Sequence, residues 1–281
     1  MTKIKDLKAI SDTIHPDYPR IHMLNGYKFP SDKSTVFKYM PLQRFLDCVD
    51  ENVLVFVSPD LWYDPFEQLY HGIDCSSRGY SPTEEIACLC ISEKSSTNED
   101  ASWRVYSDNE KAVRISIDQK ALLTLLNDFA IKEDYQVYIG KVQYKLEKTE
   151  IETLYKNSSD YQNHFFPNDM TRAHYLSVML QKRSAFSYEN EVRIFLVKDS
   201  IKFNDGKVWI PCDYKSRKLV TNVMLSPYPP VRVKGDPAYL VREKMNIMES
   251  KELKRIVKDK VGCRIQQCLL YCVKERIKKV E

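Results

Sequence analysis

Glu189, Glu191 and Arg193, in the stretch FSYENEVRIFLV (residues 186–197), place two carboxylates and a guanidinium at alternate positions ahead of Ile194, Phe195, Leu196 and Val197. In an extended chain successive side chains point to opposite faces, so the three charges share one face and Tyr188, Val192, Ile194 and Leu196 the other. Same-face neighbours lie roughly 6.6 Å apart along a strand, which lets two carboxylates line one cleft without touching. Acids so placed can stabilise developing positive charge, orient a nucleophile or hold a divalent cation. The competing reading is an antiparallel strand with a solvated outer face. Glu150-Ile151-Glu152 repeats the spacing in a polar, helix-like stretch, so the spacing alone decides nothing.

Other residues invite the same weighing. Asp64 precedes Pro65 and reads first as a helix cap. Glu67 suits a structural ion pair with an arginine such as Arg193. Trp103 and Tyr106 fit packing and pocket roles equally. The eight cysteines form no paired C-x2-C knuckles with a nearby histidine, and the five histidines show no H-E-x-x-H. Buried thiols in a reducing compartment are expected, with no metal centre. No G-x-G-x-x-G or Walker loop is present.

The elements that must position these groups are readable from periodicity. Residues 1–33 read as an irregular, charged N-terminal arm, and residues 34–281 as one domain. Short strand-like VFKYM leads to a helix with Leu42, Phe45, Leu46 and Val49 on one stripe. VLVFVS, IACLCIS, AVRISID, YQVYIGKVQYKL, the opening segment, KVWIPC and LVTNVMLS read as strands, with Gly140 a bulge or close-approach point. Helices are expected over about 119–130, 168–182 and 236–258; residues 263–274 suit strand and helix alike. Strands outnumber helices without regular alternation. That predicts an α+β fold, a single domain with one mostly antiparallel or mixed sheet flanked by helices.

At 281 residues, 43% hydrophobic and 29% charged, the chain can bury a sizeable core and is not disordered in bulk. Apolar runs such as Val53–Val57 and Ile86–Ile91 fall far short of the roughly 20 residues a membrane span needs, so no membrane association is expected. The charges in MTKIKDLKAISD interrupt any secretory signal, which points to the cytoplasm. The formal charge of +4 is mild, but residues 251–281 carry ten Lys or Arg against four Asp or Glu. That excess suits either a phosphate backbone or a solvated helix face.

Phe37-Lys38-Tyr39, Asp64-Pro65-Phe66-Glu67, Trp103 with Tyr106, Ala112-Val113-Arg114-Ile115, Tyr188 through Arg193, and Leu225-Ser226-Pro227 occur in an order that resembles the bacterial domain of unknown function family 2971 over roughly residues 34–270. The chain departs from the family pattern at Tyr63, usually Asn, and at Ala112, usually Gly. Lys38-Tyr39, Tyr106 and Glu189-x-Glu191 also resemble the order of functional residues in some ADP-ribosyltransferases. There an aromatic or Ser sits on a middle strand, and Glu-x-Glu enters a late one.

That second resemblance implies an NAD-using transferase of toxin or defence type, needing no metal. Glu191 would stabilise oxocarbenium-like charge on the ribose, and Glu189 would orient the acceptor. Tyr106 or Tyr39 would stack on nicotinamide, and Lys38 would meet the pyrophosphate. With Trp103, Asp64, Glu67 and Arg193 they complete the candidate NAD-contacting set. Two alternatives stand beside it: a Mg²⁺-dependent nuclease using Asp64, Glu67, Glu189 and Glu191, and a non-catalytic nucleotide or nucleic-acid sensor using the aromatic and basic residues.

Overall fold

The computed structural model describes residues 12–29, 35–62, 64, 67, 82–93, 99–107, 111–146, 171–227 and 251–268. In chain order these form strands β1 (Asp12–His15), β2 (Tyr18–Leu24) and β3 (Thr35–Pro41), helix α1 (Leu42–Asp50), β4 (Val53–Val57), helix α2 (Pro82–Glu85), β5 (Ile86–Ser92), helix α3 (Glu99–Ser107), β6 (Ala112–Asp118) and helix α4 (Gln119–Glu133). There follow β7 (Gln136–Lys141), β8 (Gln143–Leu146), helix α5 (Arg172–Val178), β9 (Gln181–Arg183), β10 (Glu191–Val197), β11 (Lys207–Pro211), β12 (Val220–Leu225) and β13 (Arg264–Gln267). The fold is α+β, its sheet mixed and mostly antiparallel, as the strand count predicts. No helix among the described residues is long and apolar enough to cross a membrane.

The chain divides into two compact units, one of Met1–Ser34, Leu54–Thr97 and Leu122–Ile210, the other of Thr35–Val53, Asn98–Ala121 and Pro211–Glu281. In the first, the strand order is β1-β2-β7-β10-β5, with β4 on β5 and β11 on β4. β10 is central: it pairs antiparallel with β5 from Glu191↔Ser92 to Val197↔Ile86, and with β7 from Val192↔Lys141 to Val197↔Gln136. All seven of its residues are buried. Phe195 and Val197 pack with Cys88, Tyr138 and the α5 residues Ala173, Tyr175, Leu176 and Val178. Glu191 and Arg193 alternate in phase with Phe195, so the charged pair lies on this packed face and not in solvent.

Close packing also explains Gly140. A Cβ there would sit 2.3 Å from Leu180 Cδ1 and 3.2 Å from Leu24 Cβ. Both neighbours are fully buried. Gly140→Ala is expected to cost about 1–3 kcal/mol through overpacking, read as a lower urea midpoint; an unchanged midpoint would show that Leu180 relocates freely.

In the second unit the order is β3-β6-β12-β13, with β3–β6 and β6–β12 antiparallel and β12–β13 parallel. Tyr39, Trp103, Ala112 and Cys268 form one buried apolar cluster within it, with Tyr106 and Met224 against it.

Several sequence expectations need correction. The arm is not irregular where it is described: β1 pairs with β2, and β2 joins β7 in parallel, burying Ile21, Met23 and Leu24. Polar edge residues hid the alternation. The helix expected to reach residue 182 ends at Val178, and Gln181–Arg183 is strand. The segment from Tyr135 to Leu146 is two strands, the second pairing with β9. Of the charged helix expected over 236–258, the part before residue 251 lies outside the described residues. Residues 251–256 are helical and continue as a π-helical turn, Val257–Val261. Within the ambiguous 263–274 stretch, Arg264–Gln267 is strand.

Candidate functional site

The segment FSYENEVRIFLV is not one strand. Ser184–Glu189 is a 3₁₀ turn, Asn190 follows at φ 46° and ψ 46°, and β10 begins at Glu191. Asparagine tolerates this left-handed conformation better than most residues, and its Nδ2 donates to the Tyr188 carbonyl at 3.1 Å. The reversal folds β9 and the turn back onto the start of β10. Lys182, seven and nine residues upstream of the two acids, thereby meets both.

Lys182 Nζ lies 2.6 Å from Glu189 Oε2, 3.0 Å from Glu191 Oε2 and 3.0 Å from Glu67 Oε1. Arg193 Nε donates to Glu191 Oε1 at 2.9 Å, its Nη2 pairs with Glu67, and its Nη1 donates to the Met179 carbonyl at 2.5 Å. The side chains of Glu189 and Glu191 are each 5% exposed and that of Arg193 1%. Three carboxylates thus share two buried cations. Such a group survives burial only because each charge has an opposite neighbour and directed hydrogen bonds.

The excess negative charge falls on Glu189. Burial raises its proton affinity, Glu191 adds to the effect, and Lys182 only partly offsets them, so its pKa is pushed up to about 7. Burial acts on Glu191 in the same sense, but Arg193 and Lys182 overcome it and hold this carboxyl well below the usual range. Lys182 shows the converse: burial disfavours its charge, but Glu191, Glu67 and Glu189 outweigh that and keep it protonated.

Aromatic and polar neighbours fix the geometry. The Arg193 guanidinium lies 4.2 Å from the Trp62 ring centroid, and Phe186 lies under Lys182 at 4.9 Å and Arg183 at 5.0 Å. Arg183 Nη2 pairs with Asp64 Oδ2 at 2.9 Å. The Glu191 N–H donates to the Tyr144 hydroxyl at 2.8 Å, and Ser92 Oγ donates to the Glu189 carbonyl at 2.5 Å.

Of the residues singled out from sequence, Glu67, Glu189, Glu191 and Arg193 share this cluster, and Asp64 pairs with Arg183. Of the residues over which Asp64 was expected to cap a helix, Pro65, Phe66 and those from 68 to 81 lie outside the described residues, while the Glu67 N–H donates to the Asp64 carbonyl at 2.9 Å. Glu189 and Glu191 do not share a strand face, because Glu189 belongs to the turn. Lys38 and Tyr39 lie on β3 of the second unit. Trp103 and Tyr106 lie on α3 and not on a strand, with Tyr39 edge-on to Trp103 at 5.0 Å and stacked with Tyr106 at 6.1 Å. Lys182, Arg183, Trp62 and Tyr144 escaped notice. The one sequence signal was a basic pair, Lys182-Arg183, just ahead of an acidic pair across a short Ser- and Ala-containing segment.

Residues 102–194 match the family DUF2971, described as a protein of unknown function. The DUF2971 match takes in Lys182, Glu189, Glu191 and Arg193 and stops within β10, while Asp64 and Glu67 lie before it. No curated protein and no solved structure matches the chain.

The opposed proton affinities have a consequence for stability. Glu189, raised in the folded state, contributes stability that is complete below the ordinary carboxyl value and is lost as pH rises through about 7. Glu191, depressed, contributes stability present above the ordinary value and lost only in acid. Between pH 5 and 8 only Glu189 of the two titrates. The wild type should therefore lose Tm over that window by several degrees more than Glu189→Gln, measured by calorimetry; parallel profiles would place the proton elsewhere.

Proposed function

We propose that the chain is a glycosyl-transfer enzyme of ADP-ribosyltransferase type that cleaves the nicotinamide–ribose bond of NAD at the Lys182–Glu189–Glu191 cluster. The observation that carries this reading is one ammonium shared by two carboxylates whose surroundings drive their proton affinities apart. Paired acids of that kind divide the work of glycosidic chemistry, one remaining an anion while the other exchanges a proton near neutrality.

In this reading the C1′–N bond breaks and neutral nicotinamide leaves. Glu191 stabilises the positive charge that develops on the ribose. An acceptor oxygen or nitrogen forms the new bond to C1′ and gives its proton to ionised Glu189. Arg193, Glu67 and the Tyr144 hydroxyl hold Glu191 in place. Because both carboxylates are buried, substrate must displace Lys182 from Glu189. The Tyr39–Trp103–Tyr106 cluster serves here as packing of the second unit, without a nicotinamide role.

The nuclease reading is less well supported. Asp64 is paired with Arg183, and Glu67, Glu189 and Glu191 with Lys182 or Arg193, so a divalent ion would have to displace several cations at once. The deciding experiment incubates the purified protein with NAD, candidate acceptors and EDTA and measures nicotinamide. Release that requires Glu191 supports the transferase, whereas Mg²⁺-dependent nucleic-acid cleavage with no response to NAD supports the alternative.

A further inference from the structure

We infer that the basic surface spanning residues 251–264 is a binding site for the phosphodiester backbone of nucleic acid. Lys251, Lys254, Arg255 and Lys258 are all exposed and fall at i, i+3, i+4 and i+7, one stripe of the helix and its π-helical continuation. Leu253, Val257 and Val261 are buried on the other side.

Arg255 is occupied by Glu252 at 2.5 Å and Asp259 at 3.8 Å, and Lys260 by Asp50 at 2.7 Å. Lys251, Lys254 and Lys258 have no ion pair among the described residues. Three such lysines along roughly 10 Å of helix would repel one another, and a polyanion relieves that repulsion.

The surface continues past the helix. Gly262, at φ 79°, turns the chain into β13, where Arg264 and Gln266 are exposed at alternate positions. A Cβ on Gly262 would lie 3.3 Å from Lys215 Cγ, so the turn carrying exposed Lys215 and Lys218 borders the same surface. A helix that lies in a lipid surface presents apolar residues outward beside its basic ones. Here they point into the protein, which favours nucleic acid over a membrane.

The test is fluorescence anisotropy of the full chain with single-stranded DNA and with RNA of the same sequence, in parallel with sedimentation on phosphatidylserine vesicles. Three lysines meeting three phosphates should give a salt slope near −2, and hence about a 20-fold loss of affinity from about 50 to about 200 mM salt. Lys251→Gln, Lys254→Gln and Lys258→Gln together should weaken binding by about tenfold or more at the lower salt and flatten the slope. Lys120→Gln, Lys145→Gln and Lys202→Gln, an equal loss of charge at exposed positions elsewhere, should change it little. Absence of binding to either oligonucleotide, equal weakening by both triple variants, or binding to vesicles alone would overturn the proposal. Whether DNA or RNA binds more tightly identifies the natural polyanion. This outcome is independent of NAD turnover, since none of the substituted residues belongs to the Lys182–Glu189–Glu191 cluster.

Discussion

Arg193→Met will destabilise the protein by about 3–5 kcal/mol, the usual cost of removing one partner from a buried charge group. The guanidinium holds Glu191 and Glu67 and satisfies the Met179 carbonyl, all from a side chain 1% exposed. Methionine fills much of the same volume, so the loss comes from stranded charge more than from a cavity. Lys182 alone would then face three carboxylates. Adding Glu191→Gln should restore part of the loss, because the second change removes one of the stranded charges, and a double-mutant cycle should return a coupling of about 1 kcal/mol or more. Arg193→Lys should restore little, since one ammonium cannot reproduce a guanidinium that bridges two carboxylates and a carbonyl. The measurement is urea denaturation at neutral pH. A loss under about 1 kcal/mol for Arg193→Met would mean that the pair behaves as an exposed one, and the buried cluster would be wrong.

The fold was readable where a strand buries a dense run of Ile, Val and Leu. IACLCIS and AVRISID carry enough Ile, Val and Leu that period and composition agree, and both are strands, β5 and β6. The Leu122, Leu125 and Leu126 stripe likewise announced α4. Where tertiary contacts decide, sequence was silent. β1 and β2 exist because β7 offers an edge, and β9 exists because β8 pairs with it. None of the three declares itself from its own residues, since polar neighbours interrupt the apolar pattern.

The charged residues of the site were visible, but their state was not. Alternation correctly grouped Glu191 with Arg193. It could not show that α5 packs on the same face, so a row of charge that suggested a solvated strand is an ion cluster in the interior. Lys182 supplied only the basic pair it makes with Arg183, because its role depends on the turn closing through Asn190. The helix that carries the aromatic residues was hidden for a related reason. Trp103 and Tyr106 are three apart, a spacing that suits one face of a helix, and α3 places them so. The strand position expected of Tyr106 came from the ordering of the ADP-ribosyltransferase resemblance and not from its own periodicity.

Glu191→Gln will separate a working cluster from a merely structural one. If the carboxylate stabilises charge on the ribose, the substitution keeps size and hydrogen bonding, removes the charge, and costs on the order of 3 kcal/mol in the transition state, a hundredfold or more in nicotinamide release. NAD binding should persist, because the interaction matters most when the C1′–N bond is breaking. Loss of stability has to be read alongside, since Arg193 and Lys182 both lose an anionic partner. Assays well below the variant's Tm, with binding measured by calorimetry, keep the two effects apart. Glu189→Gln gives a different signature: its carboxyl titrates at about 7, so its loss should remove the limb of the pH–rate profile near neutrality instead of scaling the whole curve. A structural cluster predicts neither pattern, only equal losses in proportion to unfolding. Should the wild type fail to bind NAD or to release nicotinamide in EDTA across RNA, DNA and protein acceptors, the transferase proposal would fall, and the Lys182 cluster would stand as the ionic anchor that closes the turn onto β10.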